Sequence, residues 1–320
     1  MSDTECTGCE GRGGDLCSPR LRVSASPRRL WSAVRRGLER IVLFGRMVKF
    51  GHSVFALPFA LSAVVLAARW GPVTAGKVAW ILVAMVGARS AAMGFNRTVD
   101  AEIDARNPRT AGRELPTGRI SKRETMFFVA GGALALVVAA WRLHRLCLIF
   151  SPFALAIPFF YSFAKRLTWS SHFILGLSLG IAPMGAWIAI SGGFSPKVLP
   201  LVLAVLLWVA GFDILYACLD YAFDVEQALH SIPQRFGIRR AFRIARMLHV
   251  ASFLSMVWLG WIFRLGWVYS IGLLLVGLAL IYEHRLVHPE DLSRMDRAFF
   301  TTNGFISVAY FVFLSVDVGW

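Results

Sequence analysis

Charge is scarce in this sequence. Of 320 residues, 17% are charged and 57% hydrophobic, against about 25% and about 45–50% in soluble domains. With a mean hydropathy of +0.60, that shortage excludes a disordered chain and argues against a soluble enzyme. Acids are the scarcer sign: 19 Asp and Glu stand against 34 Lys and Arg, leaving a formal net charge of +15. Cysteine is scarce as well. Cys6, Cys9 and Cys17 lie in a polar Gly-rich stretch, and Cys147 and Cys218 lie inside apolar runs. Such spacing does not make a disulfide framework, and Cys6-x-x-Cys9 lacks the second pair of ligands that a zinc site requires. Residues 1–29 have no apolar core of the kind a secretory signal carries and are expected to form a disordered polar leader.

What is abundant is long uncharged sequence. Nine runs cover residues 53–68, 78–95 (interrupted by Arg89), 125–141, 146–163, 173–190, 198–212, 247–263, 265–282 and 299–316. Most approach the ~20 residues that cross a bilayer. In lipid a backbone must satisfy its own hydrogen bonds, so these runs are expected to be helices, and Pro58, Pro152, Pro158 and Pro183 within them are tolerable. The expected fold is all-α, a polytopic membrane bundle of about nine transmembrane helices over residues 50–320. Before it, Leu30, Trp31, Val34, Leu38, Ile41 and Val42 share one helical face, with Arg35, Arg36, Glu39 and Arg40 off it. Residues 30–49 therefore read as an amphipathic helix lying in the interface, or as a solvated helix packed on protein.

The basic residues follow the loops. With the N-terminus inside, the N-terminal segment and the loops after the second, fourth, sixth and eighth runs hold 27 Lys and Arg, and the opposite side holds 6. This split obeys the positive-inside rule. It orients the N-terminus to the cytoplasm and the C-terminus outside, and it accounts for the net charge with a lipid bilayer as partner and no nucleic acid.

The few acids cluster. Asn96, Asp100 and Asp104 follow one another at four-residue steps, which drift about 40° each and keep all three on one helical face. Asp220 and Asp224 repeat the step, with Tyr216 four residues before Asp220 and Asp213 three before that. The second and sixth runs end on the same side, so both clusters open to the cytoplasm. Carboxylates aimed into one cavity repel, and cations between them relieve the repulsion. Oxygen-only ligands point to Mg²⁺, which completes its shell with water and substrate phosphates. The spacing therefore predicts a diphosphate held through Mg²⁺. Arg89 lies within an apolar span, seven residues before Asn96, where a cation requires a carboxylate, a diphosphate or a route to the interface. Arg106, Arg109, Arg113 and Arg119 occupy the loop after the second run.

At these residues the chain resembles the UbiA family of intramembrane aromatic prenyltransferases, in its bacterial 4-hydroxybenzoate polyprenyltransferase-like form. The first signature is Asn96-Arg97-Thr98-Val99-Asp100-Ala101-Glu102-Ile103-Asp104. The second runs from Asp213 through Tyr216 and Asp220 to Asp224, followed by His230-Ser231-Ile232-Pro233. Tyr161-Ser162-Phe163-Ala164-Lys165-Arg166, Tyr282-Glu283-His284 and the run from Ala298 to Gly304 are also similar to bacterial members. The resemblance covers about residues 45–318 and implies a helical bundle around a central cavity with a lateral opening for a lipid tail.

It also implies roles. Asn96, Asp100 and Asp104 would hold one Mg²⁺, and Asp220 and Asp224 a second. Arg97, Lys165 and Arg166 would neutralise diphosphate oxygens, and Asp220 or Asp213 would assist deprotonation of a phenol. Tyr161 and Tyr216 join the expected substrate-binding set, and Arg89 is the expected partner of the acceptor's carboxylate. The implied activity is transfer of a polyprenyl group from its diphosphate to an aromatic acid in respiratory quinone synthesis, at the bacterial inner membrane. The segment Ala88-Arg89-Ser90-Ala91-Ala92-Met93 looks most like the 4-hydroxybenzoate type, and like a relative serving menaquinone synthesis. A (dihydroxy)naphthoate is the alternative acceptor. A membrane transporter is the alternative of another class, although transport gives no reason for two spaced carboxylate pairs on one side.

Overall fold

Long uncharged runs leave the backbone no partner but itself, and the chain folds as helices accordingly. The computed structural model describes residues 39–40, 42–48 and 53–319. The expected leader 1–29, with Cys6, Cys9 and Cys17, lies outside the described residues. So does most of the expected interfacial helix 30–49, of which residues 39, 40 and 42–47 are helical. Among the described residues from Leu43 onward, nine principal helices follow. They are α1 (Ser53–Ala67), α2 (Ala75–Arg106), α3 (Lys122–Leu143), α4 (Arg145–Leu167), α5 (Ser171–Ser191), α6 (Leu199–Ala217), α7 (Ile238–Phe263), α8 (Trp267–Leu286) and α9 (Asn303–Val318). No strand occurs among the described residues beyond an isolated bridge between His288 and Asp291.

The helix ends have local causes. The Thr74 hydroxyl accepts from the Lys77 amide at 3.2 Å and starts α2. Ser121 and Glu124 form a reciprocal capping box at the start of α3, satisfying two amides that the first turn leaves open. His144 separates α3 from α4, and its Nδ1 accepts from the Leu146 amide at 3.1 Å.

Among the described residues, eight helical spans are long and apolar enough to cross a membrane. The ninth expected crossing, α1, has 15 residues, about 22 Å, against a hydrocarbon core of about 30 Å. Its surroundings explain how a short helix serves there. Phe59, Ala60, Ala63 and Ala67 are fully buried, and Phe59 packs against Trp208 and Tyr310 with ring centroids 5.1 and 5.2 Å away. Thus α1 is enclosed mainly by α5 and α9, with α6 beside Phe59. The outward-facing side chains are large and apolar: Phe127 is 80% exposed and Trp261 78%. Trp141, Trp261 and Trp267 are exposed at the end of α3, near the end of α7 and at the start of α8, positions in which tryptophan is expected at a membrane interface.

Two features of α2 place the functional residues. A Cβ on Gly87 would meet the Gly132 carbonyl oxygen at 2.7 Å, and one on Gly132 would meet the Gly87 oxygen at 2.8 Å. Only glycine lets α2 and α3 approach this closely. Second, α2 has 32 residues, about 48 Å, so its last turns outrun the hydrocarbon. Asn96 stands about 32 Å from its start, where the apolar layer ends and charges become affordable.

Candidate active site

The ends of α2 and α6 deliver both acid clusters to one cavity of about 190 Å³. Asn96, Asp100 and Asp104 reach it from α2, as the four-residue spacing predicts. The second cluster is less regular than expected. α6 stops at Ala217, a 3₁₀ turn covers Cys218–Asp220, and a short helix runs Tyr221–Glu226. A 3₁₀ turn advances about 120° per residue instead of about 100°, so Asp220 is turned off the stripe that carries Asp213 and Tyr216. All four residues of this cluster, Asp213, Tyr216, Asp220 and Asp224, still line the cavity.

The chain supplies its own counter-charges. Arg109 grips Asp220 with a bidentate fork: its Nε donates to Oδ1 at 2.8 Å and its Nη2 to Oδ2, while Asn107 Nδ2 donates to Oδ1 at 3.1 Å. Arg113 Nη1 reaches both oxygens of Asp104 at 2.7 Å, and Arg97 Nη1 lies 3.8 Å from Asp104 Oδ2. Asp100 accepts from Asn96 Nδ2 at 2.8 Å and from Arg166 Nη2 at 3.1 Å. Asp224 accepts from the Ser231 hydroxyl at 2.9 Å. Burial opposes the Arg109 charge, but hydrogen bonds and attraction to Asp220 outweigh it and hold the guanidinium above its ordinary pKa. The expectation of mutually repelling carboxylates is therefore corrected. Guanidinium groups from the loop after α2 and from the end of α4 already separate them.

Lys165 and Tyr161, near the end of α4, also line the cavity. Lys165 has no ion-pair or hydrogen-bond partner for its ammonium among the described residues, so it is a cation available to an incoming anion. Arg97 lines the cavity too, although its Nε also donates to the Met47 carbonyl at 3.5 Å. Arg89 is the exception among the expected site residues. It does not line this cavity, and its Nη2 donates to the Val48 carbonyl at 3.4 Å. Seven residues amount to about 10 Å along a helix, so a shared stripe does not put Arg89 at the same depth as Asn96.

Sequence reasoning did not assign Asn107, His172 or Ser231. His172 is fully buried, with Nδ1 2.6 Å from Asp213 Oδ2. Ser231 caps the short helix Ile232–Phe236, its hydroxyl accepting from the Gln234 amide at 3.2 Å. The spacing Ser231-Ile232-Pro233-Gln234 is a helix-start signature and marked that residue. Nothing local marks His172.

The sequence pattern of the UbiA prenyltransferase family matches residues 56–308. The chain belongs to the UbiA prenyltransferase family. A solved UbiA homolog from Aeropyrum pernix K1, in its apo form, superposes with a TM-score of 0.76 at 33% identity, covering 83% of this chain and 98% of that one. A UbiA homolog from Archaeoglobus fulgidus bound to DMAPP and Mg²⁺ superposes at 0.67 with 18% identity, covering 86% and 98%, a likeness of fold. In sequence, a 4-hydroxybenzoate octaprenyltransferase from Nitrosomonas eutropha is 34% identical over 149 residues, 47% of this chain and 52% of that relative. One from Pseudomonas putida is 32% identical over 179 residues, 55% and 60%. The chain thus matches little more than half the length of these curated relatives. As a UbiA member with eight helices apolar enough to cross a bilayer, it is an integral membrane protein.

Proposed function

We propose that this UbiA protein transfers a polyprenyl group from a prenyl diphosphate to an aromatic acid of the 4-hydroxybenzoate type in respiratory quinone synthesis. The observation that carries the reading is the meeting of two acid clusters and the Lys165 ammonium in one cavity. The names of the curated relatives support the acceptor class.

The residues suit Mg²⁺ by donor chemistry. Asn96, Asp100 and Asp104 would hold one ion, and Asp220 and Asp224 a second; all offer hard oxygen atoms. Among the described residues no three metal-binding side chains converge as a ready-made cage. Mg²⁺ takes one or two carboxylates and completes its shell with phosphate and water. When bound, Mg²⁺ would supply charge neutralisation for the leaving diphosphate.

The chain's own groups do the rest. Lys165 meets diphosphate oxygens directly. Arg97 and Arg166, together with Arg109 and Arg113, turn from their carboxylates to the diphosphate, exchanging one anion for another at little electrostatic cost. The C1–O bond breaks with its electron pair on the diphosphate, leaving an allylic cation. Asp213 accepts the acceptor's hydroxyl proton, since its polar partner is the His172 ring, whereas guanidinium groups hold Asp100, Asp104 and Asp220 and the Ser231 hydroxyl holds Asp224. Ring carbon ortho to that oxygen bonds to C1, the ring proton passes to the released diphosphate, and Asp213 returns its proton to the oxygen. Ile103, Phe223 and Leu229 in the cavity wall keep water from the cation. Tyr161 and Tyr216 flank the reacting groups. Arg89, deeper in α2, is proposed to meet the acceptor's carboxylate, a contact that requires its guanidinium to turn from Val48.

By the positive-inside split the site faces the cytoplasm of a bacterial inner membrane, with the C-terminus outside. A reporter fused after Trp320 is expected on the non-cytoplasmic side. The deciding experiment is product mass spectrometry with purified protein, a prenyl diphosphate, Mg²⁺ and a panel of hydroxybenzoates and naphthoates. Prenylated 4-hydroxybenzoate is the expected product. Prenylated naphthoate alone would move the protein to menaquinone synthesis, and no product from any acid would overturn aromatic prenyl transfer.

A further inference from the structure

His172, in the first turn of α5, touches two parts of the site that are far apart in sequence. Its Nδ1 lies 2.6 Å from Asp213 Oδ2, and its Nε2 accepts from the Ile232 backbone amide at 3.3 Å. A backbone N–H can only donate, so Nε2 keeps its lone pair and the ring proton sits on Nδ1, donated to Asp213. The imidazole is thereby neutral and of one tautomer. It is also fully buried, whereas the Asp213 side chain is 16% exposed and lines the cavity.

The Ile232 amide belongs to the segment that closes over the second acid cluster. Three contacts pin that segment. The His230 amide donates to the Lys165 carbonyl at 2.7 Å, the Ile232 amide to His172, and the buried Ser231 hydroxyl to Asp224 at 2.9 Å. Between two residues held from outside, Ser231 is placed to orient Asp224. One ring thus orients Asp213 directly and Asp224 through the segment.

We propose that His172 is a positioning residue, a neutral two-way hydrogen-bond relay that holds Asp213 as proton acceptor and locks the segment 227–237 so that Ser231 orients Asp224. The inference rests on the prenyl-transfer reading for its catalytic consequence. Doubly protonated, the ring would set an N–H against the Ile232 N–H and release the segment. His172 therefore takes up no second proton in turnover; Asp213 takes the hydroxyl proton and gives it back.

A carboxamide has the same pattern, one acceptor and one donor about as far apart as the two ring nitrogens. His172→Gln is expected to keep kcat within about threefold of wild type. His172→Phe, similar in volume but without polar atoms, is expected to lower kcat by about 10–100-fold, the usual loss when an orienting partner is removed, with a smaller change in KM for the prenyl diphosphate. Hydrogen exchange of peptides covering residues 227–237 in the full-length protein reads the relay without activity. Protection should persist in His172→Gln and fall in His172→Phe. Unchanged kcat and protection in His172→Phe would overturn the proposal. So would His172→Gln as inactive as His172→Phe with protection intact, because the imidazole would then be carrying a proton. If His172→Phe fails to fold, a loss above tenfold in His172→Gln overturns the relay by itself. If wild type prenylates no aromatic acid, the functional reading fails, and the protection measurements still decide the relay.

Discussion

The two ends of the bundle use the same residue types for opposite purposes. At the end where α2 and α6 finish, five aspartates share a cavity with arginines from three segments, and cations bind carboxylates. At the other end, Asp317 of α9 has no such company. Its oxygens accept from the Gly266 amide at 2.7 Å and the Tyr269 amide at 3.1 Å, capping α8, whose own N-cap residue is a glycine without a side chain. Two cations there lie on aromatic faces: Lys197 is 5.4 Å from the Trp70 ring centroid and Arg142 5.7 Å from that of Trp80. A carboxylate beside a helix N-terminus is fully satisfied by backbone donors. Five carboxylates in one cavity are held by side chains that can exchange partners. Exchangeable partners mark a site that accepts an anion; backbone partners mark a joint.

Three experiments press on that contrast. Removing divalent metal with excess EDTA should reduce prenyl transfer to background, because no pair of carboxylates alone attracts a diphosphate. Full activity in EDTA would show that the acid end is also only a joint. Next in size, Asp100→Asn and Asp220→Asn should each lower kcat by about 10²–10³, the usual cost of removing one transition-state electrostatic contact. Asp220→Asn should also melt earlier than wild type without substrate. Breaking a fully buried pair costs about 3–5 kcal/mol; the Arg109 side chain is 33% exposed, which discounts the loss to about 1–2 kcal/mol. A variant that melts later would mean that carboxylate repulsion, not the Arg109 fork, governs this end. The smallest effect belongs to Asp317→Ala. It should cost about 1 kcal/mol of stability through the lost cap and leave turnover per folded molecule unchanged. Loss of turnover as deep as that of Asp100→Asn would abolish the distinction between the ends.

Much of the fold was legible because the helical signal is local. Runs of uncharged residues predicted α3 to α6, α8 and α9 to within about five residues, but stopped eleven residues short of the end of α2 and began nine residues after the start of α7, where charged turns continue the helix; the four-residue spacing from Asn96 to Asp104 predicted their common face. The run at 53–68 predicted a helix and not its enclosure, since an apolar helix reads the same whether lipid or protein surrounds it. Of the site, both acid clusters and Lys165 were legible. The partners were not: Asp220 and Arg109 are 111 residues apart, and Asp213 and His172 are 41 apart. The 3₁₀ turn at Cys218–Asp220 escaped because its residues suit a continuing helix equally well.

Sequence alone determined that this chain is a helical membrane protein, which loops carry its basic residues, and which residue types meet at one end, because each follows from hydropathy, helical period and charge counted along the chain. Only the tertiary structure decided which guanidinium holds which carboxylate, that Asp213 has the His172 ring for its partner, and that Arg89 donates to the Val48 carbonyl outside the cavity. Those outcomes depend on distances between helices, and helix spacing is decided by side-chain contacts, such as Gly87 against Gly132, that no single segment encodes.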